Sequence, residues 1–191
     1  MSPNRLLRTV VPAAIALLAL FCQAVLAGEA ALPQQIKAAF IYRFTFYVTW
    51  PEKSFANQSS PFVIWAPEKN EIYTHLLETV AGKTAQGRHI EVKRYIWPQD
   101  LKGAAHIIYV GKTQVKDMDK LVHAAEAFTP GVFIVSESSG AEWSGASLNF
   151  ITEKDRVRFQ INMDPAKKSG LSISSKLLRL ATTVTGMEVE K

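Results

Sequence analysis

From Ile36 to Pro51 the chain reads Ile-Lys-Ala-Ala-Phe-Ile-Tyr-Arg-Phe-Thr-Phe-Tyr-Val-Thr-Trp-Pro, with Ala39, Phe40, Phe44 and Tyr47 at the spacing of one helix face. Phe46, Val48 and Trp50 widen that face until Lys37, Arg43, Thr45 and Thr49 are the whole polar strip. The pattern predicts a helix over Pro33–Thr49, stopped by Pro51 and buried against a sheet or a partner. Three short apolar runs follow: Phe62-Val-Ile-Trp-Ala66, His106-Ile-Ile-Tyr-Val110 and Gly131-Val-Phe-Ile-Val135. None alternates, so each predicts a strand covered on both faces.

Helical periodicity lies between them. Asn70 caps a helix through Val80 that turns Ile72, His75, Leu76, Leu77 and Val80 inward and ends at Gly82. A second helix, Lys116–Ala127, sets Met118, Leu121, Val122 and Ala125 on its inner face. His89–Tyr95 alternates as a half-buried strand. The last third predicts a hairpin, Ala146–Thr152 and Arg156–Met163 around Glu153-Lys154-Asp155. Its second strand points Val157, Phe159, Ile161 and Met163 one way and Arg156, Arg158, Gln160 and Asn162 the other. Asp164 is expected to cap a further helical turn with Pro165 at its first position, and Ser172–Val184 closes the chain as a helix with Leu177, Leu178, Leu180 and Ala181 inward. The expected fold is α/β and three-layered: a mostly parallel sheet with helices on both faces, the C-terminal hairpin contributing the antiparallel part.

Composition changes this picture mainly at the N-terminus. Arg5 and Arg8 precede an apolar run from Val10 to Phe21, and Val25-Leu26-Ala27 supplies the small residues of a cleavage site. The run is shorter than the ~20 residues of a membrane span. Residues 1–27 are therefore expected to be a signal peptide and residues 28–191 one domain, located in the periplasm. The only cysteine, Cys22, lies in that leader behind a bulky Phe21, so the mature chain must be held by core burial without disulfides. The net charge of +5 includes Arg5 and Arg8; the remaining excess is too mild to indicate nucleic acid.

Candidate chemistry is sparse. His75, His89, His106 and His123 stand 14, 17 and 17 residues apart without metal-ligand spacing; His75 and His106 fall in apolar runs and the other two on the surface. Ser144 lacks the Gly-x-Ser-x-Gly turn of a nucleophile elbow, and Gly111-Lys112-Thr113 lacks the leading glycine of a phosphate loop. Glu137, Glu142 and Asp164 are the carboxylates that acid–base chemistry would have to use. These observations predict a binding protein, with no catalytic residue, metal or cofactor.

Ile36-Lys-Ala-Ala-Phe-Ile-Tyr-Arg-Phe44, Tyr47-Val-Thr-Trp-Pro51, Ser144-Gly-Ala-Ser-Leu-Asn-Phe150, Arg156-Val-Arg-Phe-Gln-Ile-Asn162 and Gly170-Leu-Ser-Ile-Ser-Ser-Lys-Leu-Leu-Arg-Leu-Ala181 together resemble the YfiR family, a DUF4154-type domain. The resemblance implies a periplasmic protein that represses an inner-membrane diguanylate cyclase by binding its periplasmic region, lowering cyclic-di-GMP output and so controlling biofilm and motility. It also implies an outer-membrane lipoprotein partner and a homodimer. The chain departs from the family in lacking its disulfide cysteines, in Arg43 where asparagine is common, and in Gly145-Ala146 where Gly-Gly is common.

Two surfaces fit a protein partner. One is Arg156, Arg158, Gln160 and Asn162 with Asn149 on the neighbouring strand, because paired arginines can fork onto carboxylates. The other is Leu171 and Ile173 among serines, an apolar anchor with a polar rim. Phe40, Phe44 and Tyr47 exceed what one sheet face needs and are candidates for dimerisation. The alternative is a small-ligand-binding or sensory domain, with the ligand at Pro67-Glu68-Lys69-Asn70, Gly111-Lys112-Thr113 and Ser136-Glu137-Ser138, the loops that follow the apolar strands; Lys112 there could meet an anion.

Overall fold

Phe62–Pro67, Ile107–Val110 and Phe133–Ser136 are buried along their whole length and lie side by side. The structure is a computed structural model that describes residues 32–128, 130–140, 143 and 145–186. The expected leader with Arg5, Arg8 and Cys22, as well as Glu142 and Ser144, lies outside the described residues. In order the chain forms α1 (Pro33–Phe44), β1 (Val48–Thr49), β2 (Phe62–Pro67), α2 (Glu71–Val80), β3 (Thr84–Ala85), β4 (Arg88–Tyr95), β5 (Ile107–Val110) and α3 (Met118–Glu126). Then come β6 (Phe133–Ser136), β7 (Leu148–Glu153), β8 (Arg156–Asn162), α4 (Met163–Lys168), β9 (Ser172–Ile173), α5 (Ser175–Leu178) and β10 (Val184–Thr185).

Eight strands make one sheet in the order β10-β8-β7-β6-β5-β2-β4-β3. Pairing is parallel from β4 through β2, β5 and β6 to β7; β8 returns antiparallel to β7, and β3 lies antiparallel to β4. The pleat sends Phe62, Ile64, Ile107, Tyr109, Phe133 and Val135 to one face, where α1 and α2 cover them. Val63, Trp65, Ile108, Val110 and Ile134 go to the other, under α3. The fold is the three-layer α/β arrangement expected from the apolar runs.

Local chemistry explains the boundaries. Asn70 caps α2 by accepting from the Ile72 N–H at 3.0 Å, and Gly82 leaves the helix at φ +68°. Leu77, expected inward, is exposed. Lys154 and Asp155 both take positive φ, 49° and 58°, the two-residue turn whose twist matches a hairpin. Gly131 enters β6 at φ +109°, and a side chain there would collide with Ser54.

Two predicted helices are shorter than the periodicity suggested. α1 ends at Phe44; beyond a turn, Val48 and Thr49 form β1 and pair antiparallel with Ile173 and Ser172 of β9. The β-branched pair fits an extended strand better than a helix. The Trp50 indole donates to the His106 carbonyl at 3.2 Å, fastening the exit. The closing helix is likewise reduced to α5, whose start is capped by Ser174. Before it, Ser172–Ile173 is consumed by β9; after it, Val184–Thr185 extends the sheet beside β8. The cap of α4 is Asn162, which accepts from the Asp164 N–H at 3.1 Å, so Asp164 and Pro165 fall inside the first turn.

At the amino-terminal end of β5, His106 is almost wholly buried between Phe55 and Phe62, with ring centroids at 4.4 and 4.9 Å. Its Nδ1 accepts from the Val63 N–H at 2.9 Å, so Nε2 carries the proton and donates to the Ser54 carbonyl at 3.0 Å. Burial disfavours the charged ring, and this outweighs the bond to Ser54; the nearby Arg88 charge adds to it, and the pKa falls to about 4. Between pH 6.5 and about 4 the unfolded ring binds a proton that the folded ring refuses, so stability falls as pH is lowered through that window, by about 3 kcal/mol. Denaturant unfolding across this pH range should show the loss, and His106→Gln, although less stable at neutral pH, should lack that part of the slope. An identical acid slope in the variant would refute the assignment.

Candidate functional site

The parallel strands β2, β5 and β6 end on the same side of the sheet, which is where an open α/β sheet forms its crevice. Glu137 follows β6 directly, and the pleat turns it toward the α1 face. Lys37, one turn into α1, reaches down to it: Lys37 Nζ lies 2.7 Å from Glu137 Oε1, with the two side chains 4% and 8% exposed. The Tyr109 hydroxyl donates to Glu137 Oε2 at 2.6 Å, and Lys112 approaches Oε1 at 3.3 Å from the surface. Behind them the Tyr95 hydroxyl donates to the Tyr109 carbonyl at 2.8 Å.

Burial alone would raise the pKa of Glu137. The hydrogen bonds from Lys37 and Tyr109, with the charges of Lys37 and Lys112, overcome it and hold the carboxyl below its ordinary value. Burial pushes both phenols up, helped at Tyr109 by the Glu137 charge, so both stay protonated. A carboxylate held ionised and engaged on both oxygens is poorly set up to give or take a proton. Asp164 stands apart from it, beyond the other end of the β7–β8 ladder and against Gly186. In front of the ion cluster is a cavity of about 340 Å³ lined by Lys37, Lys112, Glu137, Ser138, Ser139 and Thr152.

β7 continues past the last β6 pairing, Ser136↔Asn149, out to Glu153. The hairpin therefore projects beyond the sheet, and Arg156 and Arg158 stand exposed on it. Neither arginine has an ion pair among the described residues. The other polar residues predicted for this face are occupied. Asn149 is buried: its Oδ1 accepts from Ser136 Oγ at 2.9 Å and the Ser138 N–H at 2.8 Å, and its Nδ2 donates to the Ser138 carbonyl and to Gln160 Oε1. Asn162 caps α4. Asn149 is thus buried at the base of the hairpin and not on the open face expected for it, and Asn162, half-buried, is turned to the start of α4. Arg156 and Arg158 remain exposed, while Gln160 is half-buried and accepts from Asn149.

The apolar candidates are corrected in the same way. Leu171 and Ile173 are core residues because β9 is drawn into pairing with β1. Phe44 is fully buried, stacked on Phe150 and edge-to-face with Phe133 and Phe159. Phe40 and Tyr47 are half-buried and line a groove of about 290 Å³ with Arg43, Phe159, Leu177 and Leu180. The large exposed apolar side chains of this region are Phe46 and Leu180, which periodicity had assigned to helix interiors.

Among the described residues no group of three His, Cys, Asp or Glu could hold a metal ion, and no helix is long and apolar enough to cross a membrane. Residues 34–182 match the family model DUF4154, described as YfiR/HmsC-like. The chain belongs to the YfiR/HmsC-like family. This is a family of periplasmic regulators linked to cyclic-di-GMP signalling. Among solved structures, a conserved domain protein from Vibrio cholerae O1 biovar El Tor strain N16961 superposes with a TM-score of 0.50 at 12% identity, over 80% of this chain and 60% of that one. The ABC domain from Streptococcus pneumonia in complex with L-Trp gives the same values. The chain thus spans about 60% of the length of these two structures, and at that identity the likeness concerns the fold alone. No curated protein matches the chain.

In this YfiR/HmsC-like domain the buried Lys37–Glu137 pair is the feature that periodicity does not show, since it places Lys37 only in the polar strip of the helix. The available signal was a lysine on an otherwise apolar helix face together with a glutamate just past a buried strand. Removing one partner of a buried pair costs about 3–5 kcal/mol, because the other charge is left uncompensated. Lys37→Met should therefore lower stability by that order at neutral pH. Adding Glu137→Gln should recover part of the loss, as measured by denaturant unfolding. Equal or additive losses would mean the two side chains do not act as a pair.

Proposed function

We propose that this protein represses an inner-membrane diguanylate cyclase by binding its periplasmic region. The observation that carries the reading is the projecting β7–β8 hairpin with Arg156 and Arg158 exposed and, among the described residues, without an ion pair. A guanidinium held on a rigid strand loses little freedom on meeting a carboxylate, and a strand extending past its sheet is sterically open to a partner. Family membership sets the context in which such a surface works. In this reading the protein is exported by its cleavable leader, so that material from the periplasm starts at Gly28, and it forms a homodimer through the Phe40–Tyr47 groove with Phe46 and Leu180 at its rim. An outer-membrane lipoprotein would restrain it. A second reading, ligand sensing, draws on the cavity before Glu137, where Lys112, 75% exposed, can exchange its 3.3 Å contact with Glu137 for an anion.

Deleting the gene should raise cyclic-di-GMP and biofilm and reduce motility. Wild-type protein should reverse this, and Arg158→Glu at equal abundance and equal Tm should not. An unchanged nucleotide level on deletion would refute the repressor reading and leave ligand sensing ahead. Light scattering should show a dimer that Leu180→Asp dissociates; a monomeric wild type at micromolar concentration would exclude the apolar groove as a dimer contact.

A further inference from the structure

The edge of the sheet away from the β7–β8 hairpin is mostly bare. β3 pairs with β4 only at Thr84↔His89 and Ala85↔Arg88, so from Ile90 to Tyr95 no described strand lies on the outer side of β4. Ala85 and Arg88 close the two-residue turn at Gln86-Gly87, which has φ of 52° and 77°, and so exchange both their hydrogen bonds. Bonding direction alternates along a strand, which aims the N–H and C=O of Ile90, Val92 and Arg94 outward as well. The Tyr95 carbonyl, one residue on, correspondingly faces β2 and accepts from the Glu68 N–H at 2.8 Å. An open row of such groups is a template for another strand.

Large apolar side chains border the same edge. Of the six that stand exposed among the described residues, Leu77, Ile96 and Trp97 are three. Thr79 of α2 faces Tyr42 and Arg43 of α1; Leu77, two residues away and so on the opposite flank, overhangs β4. Ile96 and Trp97 follow β4 directly, held in a turn because the Asp100 carboxylate accepts from both their N–H groups, at 2.9 and 2.8 Å. Apolar groups gathered along an unpaired strand mark a contact surface.

The charges on the edge decide which partner fits. Ile90 and Val92 pack toward the α1–α2 face, while Glu91 and Lys93 point to the other, where Lys93 lies over the Trp65 ring at 5.7 Å. Within one chain the two are 3.5 Å apart. The neighbouring arginines are engaged elsewhere, Arg94 with Glu68 and Arg88 with the carbonyls of Asn57, Gln58 and Ser60. A strand with an acid and a base two residues apart on one face is its own complement when reversed. In an antiparallel pair centred on Val92, each Glu91 faces the Lys93 of the other copy, at the closely spaced position without hydrogen bonds. The two Val92 residues, whose bonding groups point outward, exchange both bonds. A slip of one residue turns the faces the wrong way. A slip of two sets Glu91 on Glu91 or Lys93 on Lys93.

We infer that the outer edge of β4 pairs antiparallel with the same edge of a second copy, joining two eight-stranded sheets into one. Leu77 of each copy extends the apolar layer across the joint. Ile96 and Trp97, where the chain has turned off the strand, come against the β3 end of the other copy. The contact shares no residue with the Phe40–Tyr47 groove, so it stands whether or not that groove forms a dimer. Being short, it is weaker than a standard interface.

The test is sedimentation velocity of the periplasmic protein carrying Leu180→Asp, which removes the groove contact. Between about 10 and 500 μM its mass should rise from monomer toward dimer, with a Kd of about 0.1 mM. The Val92 amide should gain protection from hydrogen exchange over the same range. Glu91→Lys or Lys93→Glu alone sets like charges opposite each other twice in the symmetric pair, and each should weaken association about tenfold at unchanged Tm. Mixed in equal amounts, the two variants are complementary and should associate at least as well as the parent. If Leu180→Asp leaves a micromolar dimer that the charge reversals break, the groove reading fails while the edge contact stands. No association at 500 μM, association indifferent to both reversals, or no recovery on mixing would each overturn the inference.

Discussion

Phe44 lies with its ring 5.5 to 6.2 Å from those of Phe133, Phe150 and Phe159, and this contact clamps α1 across three strands drawn from different parts of the chain. A strand apolar on both faces is stable only when both are covered. On the α1 side that covering is aromatic. The same seating decides where Lys37 falls, since a helix fixed by Phe44 at one end has no freedom left at the other. It also fixes the direction in which the chain leaves the helix, toward β1 and its pairing with β9. The burial of Leu171 and Ile173 follows from that pairing.

The ion cluster at Glu137 is a consequence of this arrangement rather than its cause. Apolar packing brings Lys37 over the crevice, and the low polarity around it strengthens the attraction to Glu137 while raising the penalty for leaving either charge alone. Tyr109 and Lys112 complete the coordination. The result is a rigid floor beneath a cavity whose one adaptable cation is Lys112. Beside it, the β7–β8 hairpin extends beyond the sheet because its two-residue turn closes late, after β6 has already ended. Asn149 ties the hairpin's base to the strand end at Ser136 and Ser138. The exposed arginines are thus carried on a braced projection.

The local pattern of the chain determined the central strands, α2, α3, the hairpin and the three-layer class. In each of these, one residue's environment is set by its neighbours at a spacing of two or of three to four. The alternation of Arg156, Arg158 and Gln160 against Val157, Phe159 and Ile161 was legible for the same reason. Turn chemistry was partly legible: Asn70 and Gly82 were placed correctly, whereas the cap of α4 fell on Asn162 because a strand end supplied an extended residue with a suitable side chain.

Tertiary structure alone decided the rest. Val48–Thr49 and Ser172–Ile173 stand far apart in sequence, and neither two-residue strand exists without the other, so helical periodicity was the only signal each segment carried by itself. Asn149 looks like a wet-face residue until the end of β6 at Ser136 and the following Ser138 are placed beside it. Lys37 looks like part of a polar strip until Glu137 is. Pair interactions between distant segments depend on which side chains share a space, and one-dimensional spacing holds no record of that.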